Sequence, residues 1–333
     1  MKKSAAALCA ALPLLSLLAP VGVLAEESAP ARVDASSEPV EEIVVLGERP
    51  GPQLWKISNG DHTLWLLGLL QPLPKRMTWK SAAVEQVLDE SQEVIAAGGA
   101  VSAHVGLIGG VRLYRQWRGI QRNPGEAQLA QVLPAPLYAR FAALRAKYAP
   151  RDGKLDELRP IFAAGRLFDR AVDRVGLTME NDVHERVVKL AKKRDLPIRQ
   201  VKIELEDPGK LLAALGDIPQ AQQVACLETT IARLEGDVGA MRERAKAWAD
   251  GDIDAFLAVP YADQQAACWQ AIGSAPEIKP LVEKAQAEWL GFADAALASS
   301  RVALAMQSID RILAADGVLA HFRARGYAVR GPE

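Results

Sequence analysis

Residues 54–70 constrain the fold more than any other stretch. LWKIS and TLWLLGLL are β-prone runs that carry tryptophan, and NGDH lies between them. Asn59-Gly60-Asp61 is a strong turn signal, so the two runs predict an antiparallel hairpin. Its second arm passes Gly68, Leu69 and Leu70, meets Gln71, and stops at the prolines of QPLP. A strand that ends this way commonly presents its last side chain to a site at the sheet edge. Here that side chain is a carboxamide, which carries no proton at neutral pH and is a poor metal ligand.

The chain beyond the hairpin alternates helical and β patterns. Thr78 is placed to cap an amphipathic helix over WKSAAVEQVLDES. VIAAGGAVSAHVGLIGG is apolar but loaded with glycine, and reads as a strand followed by a loop. RPIFAAGRLFDRAVDRVG has helical spacing and ends on Gly176 as a C-terminal cap. NDVHERVVKLAKKR is a further helix and IRQVKIE a strand, whereas residues 219–298 read as nearly all helix, broken at Gly251, Pro260 and 273–280. RVALAMQSI then reads as a strand, DGVLAHFRARG as a helix and YAVR as a closing strand. Strands at both ends with helices between predict one α/β domain over 51–333, closed by its two termini. Residues from about 205 to 298 form its helical insertion.

Residues 1–25 have two lysines, an apolar stretch broken by Pro13 and Pro20, and a small-residue end at Val23 and Ala25. That is the layout of a cleaved signal peptide, and the apolar part is shorter than the roughly 20 residues a membrane span needs. Leu8 stands where lipidation of Cys9 would require a small residue. Residues 26–50, rich in Glu, Ser, Ala and Pro, predict a flexible leader, within which EEIVVLGE could add a short strand to an open edge. The expectation is a periplasmic or secreted protein with no transmembrane segment after signal removal.

The formal charge of −1 supplies no field for nucleic acid, and losing Lys2 and Lys3 makes the balance slightly more acidic. With Cys9 removed, Cys226 and Cys268 remain, and export to an oxidising compartment favours a disulfide over two separately buried thiols. His62, His104, His184 and His321 are scattered and form no ligand set. His184-Glu185 does not open an HExxH motif, because Val188 holds the second histidine position. Neither a Gly-x-Ser-x-Gly elbow nor a phosphate-binding glycine loop is present.

The run LWKISNGDHTLWLLGLLQPLPKRMTWKSAAVEQVLDESQEVI resembles the opening of the TraB/GumN family, whose relatives include the TIKI metalloproteases. The likeness continues through GLTMENDVHERVVKLAKK and AWADGDIDAF into DGVLAHFRARGYAV. It implies a TraB/TIKI-like (EreA/ChaN-like) α/β core of two similar halves with a mixed β-sheet and inserted helices. It also implies a Gly-x-x-His motif in each half and an acidic residue ending an early strand, which together bind a divalent metal for peptide hydrolysis.

This chain departs from that pattern at each position. Gly68-Leu69-Leu70-Gln71 has Gln for the first histidine, and Val94-Ile95-Ala96-Ala97 lacks the carboxylate. AMQSIDRILAA, where the second motif belongs, has neither glycine nor histidine, and Asp310 and Arg311 fall nearest. The Arg-Asn pair expected before the last strand is reduced to Ser300-Arg301-Val302. Zinc or cobalt needs imidazole, carboxylate or thiolate donors with one position open to water, and an arginine would repel the ion. The residues therefore predict a degenerate, metal-free site without a cofactor, with Gln71 kept for shape and hydrogen bonding.

Two weaker features remain. Met77 and Trp79 follow Gln71 closely and are candidates to line what is left of the cleft. Arg112, Arg115, Arg118 and Arg122 form a basic stripe beside Tyr114 and Trp117, with no acidic residue between 98 and 125. The stripe could touch an anionic glycan or lipid headgroup, or be a solvated helix face with snorkelling arginines. Three functions follow. One is a pseudoenzyme that binds an envelope protein or glycan. The second is a metal-dependent hydrolase with a remodelled site built on Gln71, Asp310 or Arg311 and the acidic residues of the helical insertion. The third is an envelope protein acting through the arginines.

Overall fold

The computed structural model describes residues 52–75, 77–236, 238–259, 265–273 and 275–332. The expected signal peptide, the leader with EEIVVLGE, and the helix break at Pro260 lie outside them. The predicted hairpin is present as β1 (Leu54–Asn59) and β2 (His62–Leu69), antiparallel with Asn59 opposite His62. Its loop is Gly60-Asp61, and Gly60 has φ +61°, a left-handed conformation that suits glycine at the first position of a tight hairpin turn.

β3 (Leu73–Pro74) pairs with β5 (Leu177–Thr178) as a small separate ribbon. β4 (Val94–Ser102), β6 (Ile198–Glu204), β7 (Val302–Ser308) and β8 (Ala328–Arg330) join the hairpin in one mixed six-stranded sheet of order β6-β4-β7-β2-β1-β8. β6, β4, β7 and β2 run parallel, whereas β1 and β8 are antiparallel at one edge. The last strand therefore closes against the first, as the pattern of strands at both ends predicts. The central strands are buried on both faces: Leu64, Leu66 and Leu67 of β2 and Ala303 through Met306 of β7 are fully covered. Such two-sided burial explains why these strands read as continuous apolar runs rather than as alternation.

The long helix Lys279–Ser299 packs along this sheet, and the helices Ala82–Glu90 and Asp182–Lys193 pack on β7 and on β4 and β6 respectively. Between β6 and β7 the described residues form the helices Pro208–Gly216, Gln220–Gly236, Val238–Asp250, Ile253–Ala258, Gln265–Gly273 and Lys279–Ser299. A disulfide joins Cys226 to Cys268 and ties the second of these helices to the fifth. The helix Pro160–Arg174 lies against the helix Gln220–Gly236 and buries a stripe at helical spacing that includes Ile161, Ala164, Phe168 and Ala171. Gly176, φ +80°, follows its end.

Two local expectations change. The first long helix starts after Ser81, whose side chain bonds Glu85 one turn on, so Thr78 is not its cap. The GLIGG segment is not a loop: a helix runs Leu107–Gln121 from an N-cap at Gly106. Gly109 and Gly110 weaken its local propensity, and docking on the helix Pro208–Gly216 supplies what the sequence lacks.

Candidate functional site at the carboxyl ends of the parallel strands

In an open α/β sheet, ligands bind outside the carboxyl ends of the parallel strands. Three of the four positions marked by the family resemblance gather at that edge, whereas Ser300-Arg301-Val302 lies at the amino end of β7. Leu66 of β2 and Ile95 of β4 both pair with Ala305 of β7, so Gly68 and Ala96 stand at neighbouring levels. β4 is irregular just beyond, with a register shift between Ile95 and Gly99 and Gly98 at φ +70°. Asp310 and Arg311 begin the short helix Ile309–Leu313 directly after β7.

Two tryptophans from the helices between β6 and β7 bond strand-end carbonyls at this edge. Trp248, on the helix Val238–Asp250, donates its indole N–H to the Gly68 carbonyl at 2.9 Å. Trp289, on the helix Lys279–Ser299, donates to the Ala96 carbonyl at 3.1 Å. Both indoles are buried, 3% exposed. An indole offers a donor and no acceptor, so it satisfies strand-end carbonyls and ligates nothing. Gly68 itself is required by packing: a Cβ there would lie 2.9 Å from the Trp55 ring and 3.3 Å from Ile309. The cavity among Gln53, Trp248, Phe256 and Ile309 measures about 10 Å³, at the lower limit for one water molecule.

Gln71, Asp310 and Arg311 each have a partner within the protein. The Gln71 side-chain amide donates to the Met179 carbonyl at 2.5 Å, fastening the end of β2 to the segment before the helix Asp182–Lys193. Arg244, buried on the helix Val238–Asp250, holds the half-exposed Asp310 carboxylate at 3.0 Å and lies 4.0 Å over the Phe256 ring. Burial pulls the Arg244 guanidinium below its usual range, and Asp310 acts in the opposite sense. Arg311 pairs with Asp316 at 3.2 Å. Among the described residues no three His, Cys, Asp or Glu side chains converge. The donor set therefore does not fit the divalent metal that the resemblance implies, since one Asp bound to an arginine and one bonded amide fall short of three ligands.

The other residues singled out in the sequence lie elsewhere in the packing. Trp79 is buried, 4% exposed, with the Arg186 guanidinium 5.6 Å over its ring, and Met77 is half-buried on the same core. Arg112, Arg115, Arg118 and Arg122 are exposed along and just after the helix Leu107–Gln121, and Arg122 pairs with Glu157 at 3.4 Å. The histidines stay apart: His62 opens β2, His104 pairs with Glu204 at 3.0 Å, and His321 bonds Asp294 at 3.2 Å. His184 is partly buried on its helix, and desolvation holds its imidazole below the usual range.

Sequence reasoning missed Trp248, Trp289 and Arg244, although AWADGDIDAF contains the first of them. It also missed a cleft of about 870 Å³ lined by Arg151, Lys154, Arg166, Arg170 and Arg174. Asp152 lies in that cleft, bonded to Arg166 at 2.7 Å, which neutralises part of its charge.

No curated protein and no solved structure matches the chain. The sequence model of the TraB/PrgY/gumN family matches residues 53–331. That span takes in the opening hairpin, the sheet, the inserted helices and the closing strand, so the chain belongs to the TraB/PrgY/gumN family.

Proposed function

We propose that this protein is an exported TraB/PrgY/gumN family member that performs no metal-dependent hydrolysis and acts by binding within the cell envelope. The observation that carries this reading is the pair of indoles on the Gly68 and Ala96 carbonyls. A hydrolytic metal centre needs a bound ion, an open coordination position for water, and room for a substrate carbonyl. Here two strand-end carbonyls are taken by indole N–H groups, and Gln71, Asp310 and Arg311 each have a protein partner.

The remodelled-hydrolase reading needs Gln71, Asp310 or Arg311 available to a substrate, and each has a protein partner. Export rests on the signal-like residues 1–25, and the Cys226–Cys268 bridge is in keeping with an oxidising compartment. A partner, whether envelope protein or glycan, then meets an outer surface rather than a metal centre.

Incubating the mature protein with unfolded polypeptide and zinc, manganese or cobalt tests the reading. The expected result is no cleavage above a heat-inactivated control. Cleavage that needs the metal and disappears in Asp310→Ala would refute it.

A further inference from the structure

The helix Leu107–Gln121 has no buried residue, which is unusual for an element of this length in a folded domain. It contacts the helix Pro208–Gly216 through residues one turn apart. Gln116 donates to the Gly209 carbonyl at 2.8 Å, and Ile120 packs on Gly216, where a Cβ would come within 3.0 Å. Its C-terminal end is fixed further: Trp117 meets Phe162 edge-on at 5.5 Å, and Arg159 donates to the Arg122 carbonyl at 3.1 Å.

The opposite face carries large apolar side chains into solvent. Leu107 is 94% exposed, Ile108 88%, Val111 54% and Tyr114 61%. Isolated exposed apolar residues are ordinary, but four large ones on one face of one helix mark an interaction surface.

Charge decides the occupant. On the same solvent face the apolar residues are Leu107, Ile108, Val111 and Tyr114; Arg112 lies among them, and Arg115 and Arg118 follow toward the anchored end. These three arginines make no ion pair among the described residues, and no acidic residue occurs from 98 to 125. The nearest acids are on the end of β6 and after it. Glu204 takes His104, Asp207 caps the helix Pro208–Gly216, and Glu206 is exposed. At about 1.5 Å per residue, Arg115 stands roughly 12 Å behind Leu107. That spacing seats aliphatic side chains at the acyl boundary while the guanidinium groups reach phosphate. A second copy of the same tip would set arginines against arginines. A glycan would leave Leu107 and Ile108 without an apolar partner.

We infer that the tip formed by Leu107, Ile108, Val111 and Tyr114, with Arg112, Arg115 and Arg118, docks on a bilayer surface rich in anionic lipid. The attachment is peripheral: among the described residues no helix is long and apolar enough to cross a membrane.

Co-sedimentation of the mature protein with vesicles provides the test. Wild type is expected to bind phosphatidylethanolamine vesicles containing phosphatidylglycerol, and to bind phosphatidylcholine vesicles far more weakly. Changing Arg112, Arg115 and Arg118 together to Gln lowers the partition coefficient roughly a hundredfold, near fivefold per charge. The double change L107S with I108S lowers it about tenfold or more through lost burial. Both sets alter exposed side chains, so thermal unfolding should stay at the wild-type temperature. Absence of wild-type binding to the anionic vesicles overturns the inference, as does binding indifferent to L107S with I108S. A solution dimer that this double change dissociates overturns it too, by assigning the tip to self-association.

Discussion

Trp248 and Trp289 each replace a solvent or ligand contact with an internal hydrogen bond to a strand-end carbonyl. Removing one indole N–H while keeping an aromatic ring isolates that role. Trp248→Phe leaves the Gly68 carbonyl buried without its donor, and an unsatisfied buried acceptor costs about 1–3 kcal/mol. Urea unfolding of this variant should show a loss of that size with an unchanged slope, and Trp289→Phe a similar loss through Ala96. A loss below about 0.5 kcal/mol, the range of neutral surface changes, would mean that the indoles merely fill space. Neither partnership was legible in the sequence. The donors lie 180 and 193 residues from their acceptors, and no local period carries contacts at that range. Gln71 was more legible: its amide does hold the end of β2, although the partner, the Met179 carbonyl, could not be named.

Among the elements, the hairpin, IRQVKIE and the two closing elements were readable because turn chemistry and apolar runs are local signals. The helix Leu107–Gln121 was only half readable. Its arginine spacing is helical, but its glycine-rich start reads as loop until the helix Pro208–Gly216 is placed beside it. The inserted helices were legible as helices, and one covalent tie fixes two of them together. The Cys226–Cys268 bridge closes a segment with a sequence separation of 42. A loop of that length stabilises by up to about 4 kcal/mol in the chain-entropy account. Replacing both cysteines by serine should lower the unfolding free energy by no more than that and leave the far-ultraviolet circular dichroism intact. A thiol assay on unfolded, unreduced wild type should find no reactive thiol in the mature chain, and two would contradict the bridge.

For the whole molecule, the sheet order places Gly68, Ala96 and Asp310 along one edge, and helices between β6 and β7 bring ring and guanidinium groups onto that edge. The sequence showed which donors were missing. It could not show that indole N–H groups take the strand-end carbonyls there, because they come from helices distant along the chain. Elemental analysis of the mature protein, after equilibration with zinc, manganese and cobalt and removal of free metal, tests the central claim most directly. The account predicts less than a stoichiometric amount of any of the three. One tightly retained ion per chain, lost in Gln71→Ala or Asp310→Ala, would contradict it.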